Sequence, residues 1–543
     1  MRRIVLPLTV ALLLVAAGCS GAGFDGGNGA NAGGNAGSIG LAAGGANDAT
    51  AFRNNVNEGY VPQPTDMTVE GLFHDYYFDT GQAEACGELF CPSYSRAVSE
   101  DPFSKQTERY LTVGLNSGLS KADFERKKLN LVVVLDTSGS MESPFSKYYY
   151  DGGEKQTVED EQAKMAVARE SVVALTEHLE ADDRFGLVTY DDSAQVIHPL
   201  DRVDETDMDH LRDRIRGLNA GGGTNFDDGL QTATSMLEPH RDANQSEYET
   251  RIIFVTDAMP NLGDTSGERL SGRLQDNANH NIYSTFVGVG VDFNTRFVET
   301  INEVPGANYY TVNSPDQFRD RMDEGFDYMV TPLVFNLSVS LDSDAYEIAQ
   351  VYGSPTAEEA TGEVMSVQTL FPSRREANRT EGGIILVKLR ETGAGDSIRL
   401  KASFETRTGE RHESTRAVEF GNHEAPYYDN SGVRKAVVLS RYANLMRNWA
   451  AYERVQAANG EADPPADGIE YREELGEWEQ QSVPLAVSPP YDQRIAAFEQ
   501  YFQKEMTALS DSDMQQDAAI LATLQTNASA GTATKSPTAN ATG

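Results

Sequence analysis

Residues Leu129 to Met141 read LNLVVVLDTSGSM, with an apolar run from Leu131 to Leu135 that stops at Asp136. A continuous run of this length fits a strand buried on both faces, the pattern of a central strand in a parallel sheet. Thr137, Ser138, Gly139 and Ser140 follow directly. A carboxylate and two hydroxyls therefore fall at alternating positions around a glycine that permits tight turning. Such a strand ends on the lip of a site.

Downstream of this stretch, strand and helix patterns alternate. A helix is expected over roughly Glu161 to Glu180, with Ala163, Ala166, Val167, Ala174 and Leu175 on its buried face. Strands are expected at Arg184 to Tyr190 and Gln195 to His198, and helices at Met208 to Leu218 and Asn225 to Leu237. Arg251 to Asp257, RIIFVTD, repeats the opening pattern of a buried strand that ends in an aspartate. A helix over Glu268 to Asn279 and strands at Ile282 to Val289 and Tyr309 to Val312 come next, before a helix opened by Ser314 as N-cap and Pro315 at its first position. Residues 128–330 thus read as an α/β domain, a doubly wound, mostly parallel sheet with helices on both faces.

From Leu333 the period becomes two: Phe335, Leu337, Val339 and Leu341 point one way and Asn336, Ser338 and Ser340 the other. With further strands between Tyr346 and Thr406, residues 331–421 read as a β-sandwich-like module. Within the segment 56–127, Tyr110 to Leu115 looks like a strand without a partner before it. It is expected to join the sandwich, which would make the α/β domain an insertion. Residues 422–510 read as a helical region from two stripes, one through Val438, Tyr442, Leu445, Trp449 and Tyr452, the other through Ile495, Phe498, Phe502, Met506 and Leu509. The Ala-, Thr-, Ser-, Asn- and Gln-rich residues 511–543 are expected to form a disordered tail.

Three separated pieces line up at one edge of the expected α/β sheet: Asp136-Thr137-Ser138-Gly139-Ser140, Gly222-Gly223-Thr224-Asn225 and Thr256-Asp257-Ala258. Open α/β sheets bind ligands in the crevice beyond the carboxyl ends of their strands, where these residues fall. Together the pieces resemble the von Willebrand factor A domain, whose metal-ion-dependent adhesion site uses a D-x-S-x-S motif, a threonine in a glycine-rich loop and an aspartate in a T-D-G-like turn. The third piece departs from the pattern, with Ala258 where glycine is common. The resemblance implies that Asp136, Ser138, Ser140, Thr224 and Asp257 hold Mg²⁺, or Mn²⁺ or Ca²⁺, through oxygen ligands. It also implies that an open position on the ion accepts an acidic side chain from a protein partner. Tyr148 to Tyr150 lie on the same edge, and two readings stay open for them: contact with a ligand, or a loop packed on itself. Asp264 reads as a group outside the direct ligands or as a solvated loop acid.

Asp and Glu total 83 against 45 Lys and Arg, a formal net charge of −38. That field repels nucleic acid and anionic lipid headgroups, so no nucleic-acid partner is expected. The acidic, lysine-poor composition fits a salt-rich environment or an acidic secreted protein, and both stay open. Residues 1–18 carry Arg2 and Arg3, an apolar stretch and small residues before Cys19, the pattern of an export signal. Val15-Ala16-Ala17-Gly18-Cys19 resembles the lipobox of prokaryotic lipoproteins, which implies lipidation of Cys19 and a membrane anchor. Residues 19–55, rich in Gly, Ala and Asn, read as a flexible tether. Cys86 and Cys91 read as a small disulfide loop rather than a metal site, because nothing nearby completes a tetrahedral set.

No G-x-S-x-G and no H-E-x-x-H is present, and the one D-T-G turn, Asp79-Thr80-Gly81, lacks the second that an aspartic protease needs. The expectation is not an enzyme but a binding or adhesion protein of the cell envelope, lipid-anchored and facing outside the cytoplasm. The alternative is a structural or assembly factor of the envelope whose metal only shapes loops.

Overall fold

The computed structural model describes residues 38–46, 48–83, 87–149, 162–241, 243–257, 267–293, 301, 304–312, 314–322, 325–354, 364–393, 395–458 and 481–533. Seven strands form one sheet in the order Gly45–Ala46, Asn308–Val312, Ile282–Val289, Tyr248–Thr256, Lys128–Asp136, Arg184–Tyr190 and Ala194–Arg202. Neighbours run parallel except for the final pair, where Ala194–Arg202 closes the edge antiparallel.

Leu131 to Leu135 are fully buried in the central strand Lys128–Asp136. The pleat sends Val132 and Val134 to one face, into a core with Phe226 and Leu230 of helix Phe226–Leu237 and Leu274 of helix Gly267–Asn279. Leu131, Val133 and Leu135 go to the other face, against Val167 and Val172 of helix Lys164–Leu175, Leu211 of helix Met208–Arg216 and Phe318 of helix Pro315–Met322. Each such side chain contributes roughly 1.5–3 kcal/mol on burial. A strand apolar on both faces can sit only between two helical layers, which is where it lies.

Ten strands form a second, wholly antiparallel sheet. Its long strand Thr107–Ser120 pairs along one side with Cys91–Glu100. Along the other side it pairs first with Ile384–Glu391 and then with Ser38–Ala43. Leu111, Val113 and Leu115 share a core with Leu41, Leu337, Val339, Ile385 and Val387. Strands from before and after the parallel sheet therefore interleave, and Tyr110 to Leu115 pair here, not in the parallel sheet.

Two expectations need correction. The flexible tether over 19–55 does not extend that far, because Ser38–Ala43 is a buried strand and Thr50–Asn57 a helix that buries Phe52 and Val56. Glycine is required at one position of that strand: a Cβ on Gly40 would lie 2.0 Å from Thr380 Cγ2. The stretch that composition marks as unable to fold alone is completed by a crowded neighbouring sheet. Nor is 511–543 wholly a disordered tail, since Gln515–Ala533 is helical and buries Ala518, Ile520, Leu521 and Leu524. Met514, Ala518, Leu521 and Leu524 step by four and three, a stripe diluted by alanine, which itself favours helix. Asp517 of that helix is fully buried and accepts from Arg53 Nε and Nη2 at 2.9 and 3.1 Å and from the Tyr76 hydroxyl.

The two remaining long helices, Ser431–Ala458 and Tyr491–Leu509, bury Val438, Tyr442, Trp449, Ile495, Phe498 and Phe502 against the helices Thr50–Asn57 and Val69–His74. Among the described residues no helix is long and apolar enough to cross a membrane. The two sheets are joined at the start of strand Tyr248–Thr256, where Glu249 pairs with Arg251 at 3.1 Å and with Arg407 from the antiparallel sheet's side. Arg251 also donates to Thr285 Oγ1 at 2.9 Å and to the Gly306 carbonyl at 3.1 Å.

Candidate metal centre at the carboxyl edge of the parallel sheet

Parallel pairing brings the carboxyl ends of Lys128–Asp136, Tyr248–Thr256 and Arg184–Tyr190 to one edge. Asp136 ends its strand fully buried. Its Oδ1 accepts from the Ser138 N–H at 2.8 Å, and its Oδ2 accepts from Thr256 Oγ1 at 2.7 Å and lies 2.9 Å from the Tyr190 hydroxyl. Ser138 Oγ lies 3.0 Å from Ser140 Oγ, which donates to Asp257 Oδ1 at 3.1 Å. Four of the five predicted residues thus form one hydrogen-bonded set.

The fifth, Thr224, is buried at the end of the glycine loop. That loop is stitched to the first motif by backbone: Gly139 N–H donates to Gly222 O at 3.0 Å and Gly221 N–H to Thr137 O at 2.8 Å. Gly222 needs to be glycine for two reasons, its φ of +81° and the approach of Asp192 Oδ2 to within 3.1 Å of a would-be Cβ. Asn225 then caps helix Phe226–Leu237 by accepting from the Asp228 N–H.

Sequence reasoning missed two members. Lys164 begins helix Lys164–Leu175 with a fully buried side chain, and its Nζ lies 3.0 Å from Asp257 Oδ2 and ion-pairs with Asp292 on its other side. Asp292, also buried, accepts the Tyr149 N–H at 3.0 Å. Both left a signal. A cation in the first turn opposes the helix dipole, so a lysine there needs an acidic partner. Asp292 comes three positions after the apolar strand Ile282–Val289, much as Asp136 ends its strand and Asp257 directly follows its own.

Burial raises the Asp136 carboxyl above the usual carboxylate range, against the hydrogen bonds it accepts. Asp257 is pushed up to about 7 by burial, with Asp136 and Asp292 adding to the effect and Lys164 opposing it. Burial works to lower Lys164, but Asp257 and Asp292 outweigh it and hold the ammonium above its ordinary value. The charged forms of Asp136 and Asp257 are thus costly at this edge, the condition under which a cation is welcome. The candidate ligand atoms of the five predicted residues are all oxygen, and among the described residues no group of three or more His, Cys, Asp or Glu side chains is placed to hold a metal ion by itself, so hydroxyls would have to complete the set. Such a set fits a hard divalent ion and suits no thiolate or imidazole-seeking metal.

Tyr148 is buried and packed within the chain: its hydroxyl donates to Asn55 Oδ1 at 2.6 Å and its ring meets Tyr60 edge-on. Of the two readings open for that loop, packing holds at Tyr148, while Tyr150 lies outside the described residues. Ala258, Asp264, Cys19 and Cys86 lie outside them too. Cys91 is disulfide-bonded. A cavity of about 300 Å³ lined by His74, Tyr310, Tyr328, Arg374 and Glu381 shares no residue with the strand-end set.

Residues 131–259 match the family model of the von Willebrand factor type A domain. Over 226 residues the chain is 24% identical to inter-alpha-trypsin inhibitor heavy chain H4 of Bos taurus, covering 40% of this chain and 22% of that protein. It is 22% identical over 212 residues to heavy chain H2 of Homo sapiens, covering 38% and 20%. The match spans about a fifth of the length of these relatives. Among solved structures, von Willebrand factor type A from Catenulispora acidiphila is similar with a TM-score of 0.43 at 14% identity, over 71% of this chain and 84% of that one. A parallel sheet between two helical layers, with its polar loops gathered at the carboxyl edge of the strands, accounts for the matched segment: the chain contains a von Willebrand factor A domain.

Proposed function

We propose that this domain binds a protein partner through a divalent cation, Mg²⁺ or alternatively Mn²⁺ or Ca²⁺, and that the chain does so as a lipid-anchored protein outside the cytoplasm. The observation that carries the reading is the row Ser138 Oγ, Ser140 Oγ and Asp257 Oδ1, spaced 3.0 and 3.1 Å apart. Neighbouring ligands of an octahedral ion bound at about 2.1 Å stand about 3.0 Å apart, so an ion could replace those two hydrogen bonds with little movement. Thr224 is the fourth candidate oxygen. Asp136 would act through water, because its two oxygens already face Ser138 N–H, Thr256 and Tyr190. With few direct carboxylates the ion stays electron-poor and supplies an open position for a carboxylate of the partner.

The protein's own part is to hold these oxygens in place and to present the partner's acid to them; no bond is made or broken. Von Willebrand factor A domains generally mediate protein interactions, which supports a binding role over an enzymatic one. Asp136→Ala and Thr224→Ala should each abolish or strongly weaken Mg²⁺ binding in calorimetry while leaving the far-UV circular dichroism unchanged. Recovery of a partner from envelope extract should then be lost in both variants and in chelator. Unaltered Mg²⁺ binding in Asp136→Ala would sink the site, and unaltered partner recovery in chelator would favour the permanently docked assembly factor. Anchoring through Cys19 is tested separately, since Cys19→Ala should move the protein from the membrane to the soluble fraction.

A further inference from the structure

We propose that Lys164 is the resident counter-cation of the strand-end site: it balances the buried acids when no metal is bound, and it weakens the divalent ion's hold when one is. This rests on the metal reading above and names a residue that sets the affinity of that site. Lys164 does not supply a ligand; it acts through Asp257.

The ammonium lies between two carboxylates, 3.0 Å from Asp257 Oδ2 and paired with Asp292, and its side chain is fully buried. It grips the Asp257 oxygen opposite the one that Ser140 meets. Asp257 is therefore turned so that a single oxygen, Oδ1, faces the serine row. The surroundings are shaped for this side chain. Gly290 has a φ of +103°, and a Cβ there would fall 2.6 Å from Lys164 Cε. Asp292 is held in turn by the Tyr149 N–H, and the Val291 carbonyl beside it accepts from Asn55 Nδ2 at 2.9 Å.

Charge makes the consequence directional. Asp136, Asp257 and Asp292 are buried with one ammonium among them, so the cluster is short of positive charge without being bare. Lys164 makes this tolerable without an ion, because a buried acid stripped of its partner is strongly destabilising. The same positive charge, fixed on the oxygen of Asp257 that points away from the serines, repels an incoming divalent ion and draws electron density from its ligand. Asp292 takes up part of that charge and relieves the competition.

The test measures Mg²⁺ and Mn²⁺ binding by calorimetry, and thermal unfolding with and without chelator, on the full chain and on Lys164→Met and Asp292→Asn. Lys164→Met keeps the shape and removes the charge. It should bind Mg²⁺ at least about tenfold more tightly than the unaltered protein, because a like charge has left the site's low-dielectric surroundings. Its melting temperature should drop in chelator and recover with Mg²⁺, a rescue larger than in the unaltered protein. Asp292→Asn leaves the ammonium to Asp257 alone and should weaken Mg²⁺ binding. A merely structural lysine would weaken binding in both variants, so the opposite signs discriminate. Binding by the unaltered protein with equal or weaker binding by Lys164→Met overturns the inference while leaving the metal reading intact. No binding by any of the three overturns both; binding by Lys164→Met alone upholds the lysine's role and removes the metal from the native chain. Should Lys164→Met fail to fold, Asp292→Asn decides: unchanged or tighter binding overturns the proposal.

Discussion

The strand Tyr248–Thr256 meets buried charge at both ends, and the two ends balance it differently. At its start one carboxylate, Glu249, sits between two guanidinium groups, Arg251 and Arg407. Arg251 spends further donors on Thr285 and on the Gly306 carbonyl. Just past the other end, two carboxylates, Asp257 and Asp292, share one ammonium, that of Lys164, and a third, Asp136, is held by hydroxyls and an N–H alone. The first cluster is closed by side chains from two sheets and has no use for an ion. The second has an excess of acid beside a row of hydroxyls. The contrast separates a buried cluster that joins two sheets from one that is left with surplus acid, though both are built on buried carboxylates and cations.

The largest expected effect lies in breaking the closed end. Glu249→Gln leaves two buried guanidinium groups facing each other and should cost about 3–5 kcal/mol in denaturant unfolding, the range for removing one partner of a buried ion pair. Its Mg²⁺ affinity, if the protein folds, should match that of the unaltered chain. A cost under about 1 kcal/mol would mean that water reaches the cluster and that the two ends are not different in kind.

Arg407→Met is milder because Glu249 keeps Arg251 at 3.1 Å. A loss of about 1.5–3 kcal/mol is expected, the size of a charge-assisted hydrogen bond to a buried group. Because Arg407 belongs to the antiparallel sheet's side, limited proteolysis should also cut between the two sheets sooner in this variant. Equal proteolysis would mean that the apolar seam alone holds the sheets together.

The difference between the ends also explains what could be read without coordinates. Leu131 to Leu135 announce a doubly buried strand because hydrophobic period is a local property, and the strand-end acids Asp136 and Asp257 stand next to such runs. The partners of those acids are not local. Lys164 meets Asp257 across 93 positions of sequence, and Glu249 meets Arg407 across more. Such pairings depend on how helices and sheets dock, which no window of sequence records. Ser38–Ala43 and Gln515–Ala533 are hidden for a related reason. Each carries few bulky residues among Gly, Ala, Ser and Thr, yet buries the ones it has, Ile39 and Leu41 in the strand and Ile520, Leu521 and Leu524 in the helix, so average composition hides elements that packing completes. The resemblance to a known domain supplied what periodicity could not, the idea that Thr224 belongs with two motifs far from it.

A smaller effect than either mutation is expected from adding a divalent ion. If the open end takes Mg²⁺, the unaltered protein should gain about 1.4 kcal/mol of unfolding free energy when free Mg²⁺ is raised from zero to ten times its dissociation constant. Glu249→Gln should gain the same amount from its lower baseline, since the two ends are independent. A missing gain in the unaltered protein, with binding seen in calorimetry, would mean that the ion binds the unfolded chain as well.

The smallest effect concerns how the open end is held. Gly139 lies in the first motif, where a Cβ would stand 3.1 Å from Gly222 O, the carbonyl that accepts the Gly139 N–H at 3.0 Å. Gly139→Ala therefore asks the glycine loop to move by a few tenths of an ångström without removing any ligand. Stability should change by less than about 1 kcal/mol, since no positive φ is involved and no group is left unpaired. Mg²⁺ affinity should nevertheless fall severalfold, because the loop that moves carries Thr224 two residues further on, and ligands displaced by a fraction of an ångström fit a small, geometrically demanding ion poorly. The same connection offers a control: Asn219→Ala, before the glycines and exposed, should leave both stability and affinity where they were. If Gly139→Ala binds Mg²⁺ as well as the unaltered chain, the glycine loop does not carry a ligand, and the ion, where present, is held by the first motif and Asp257 alone.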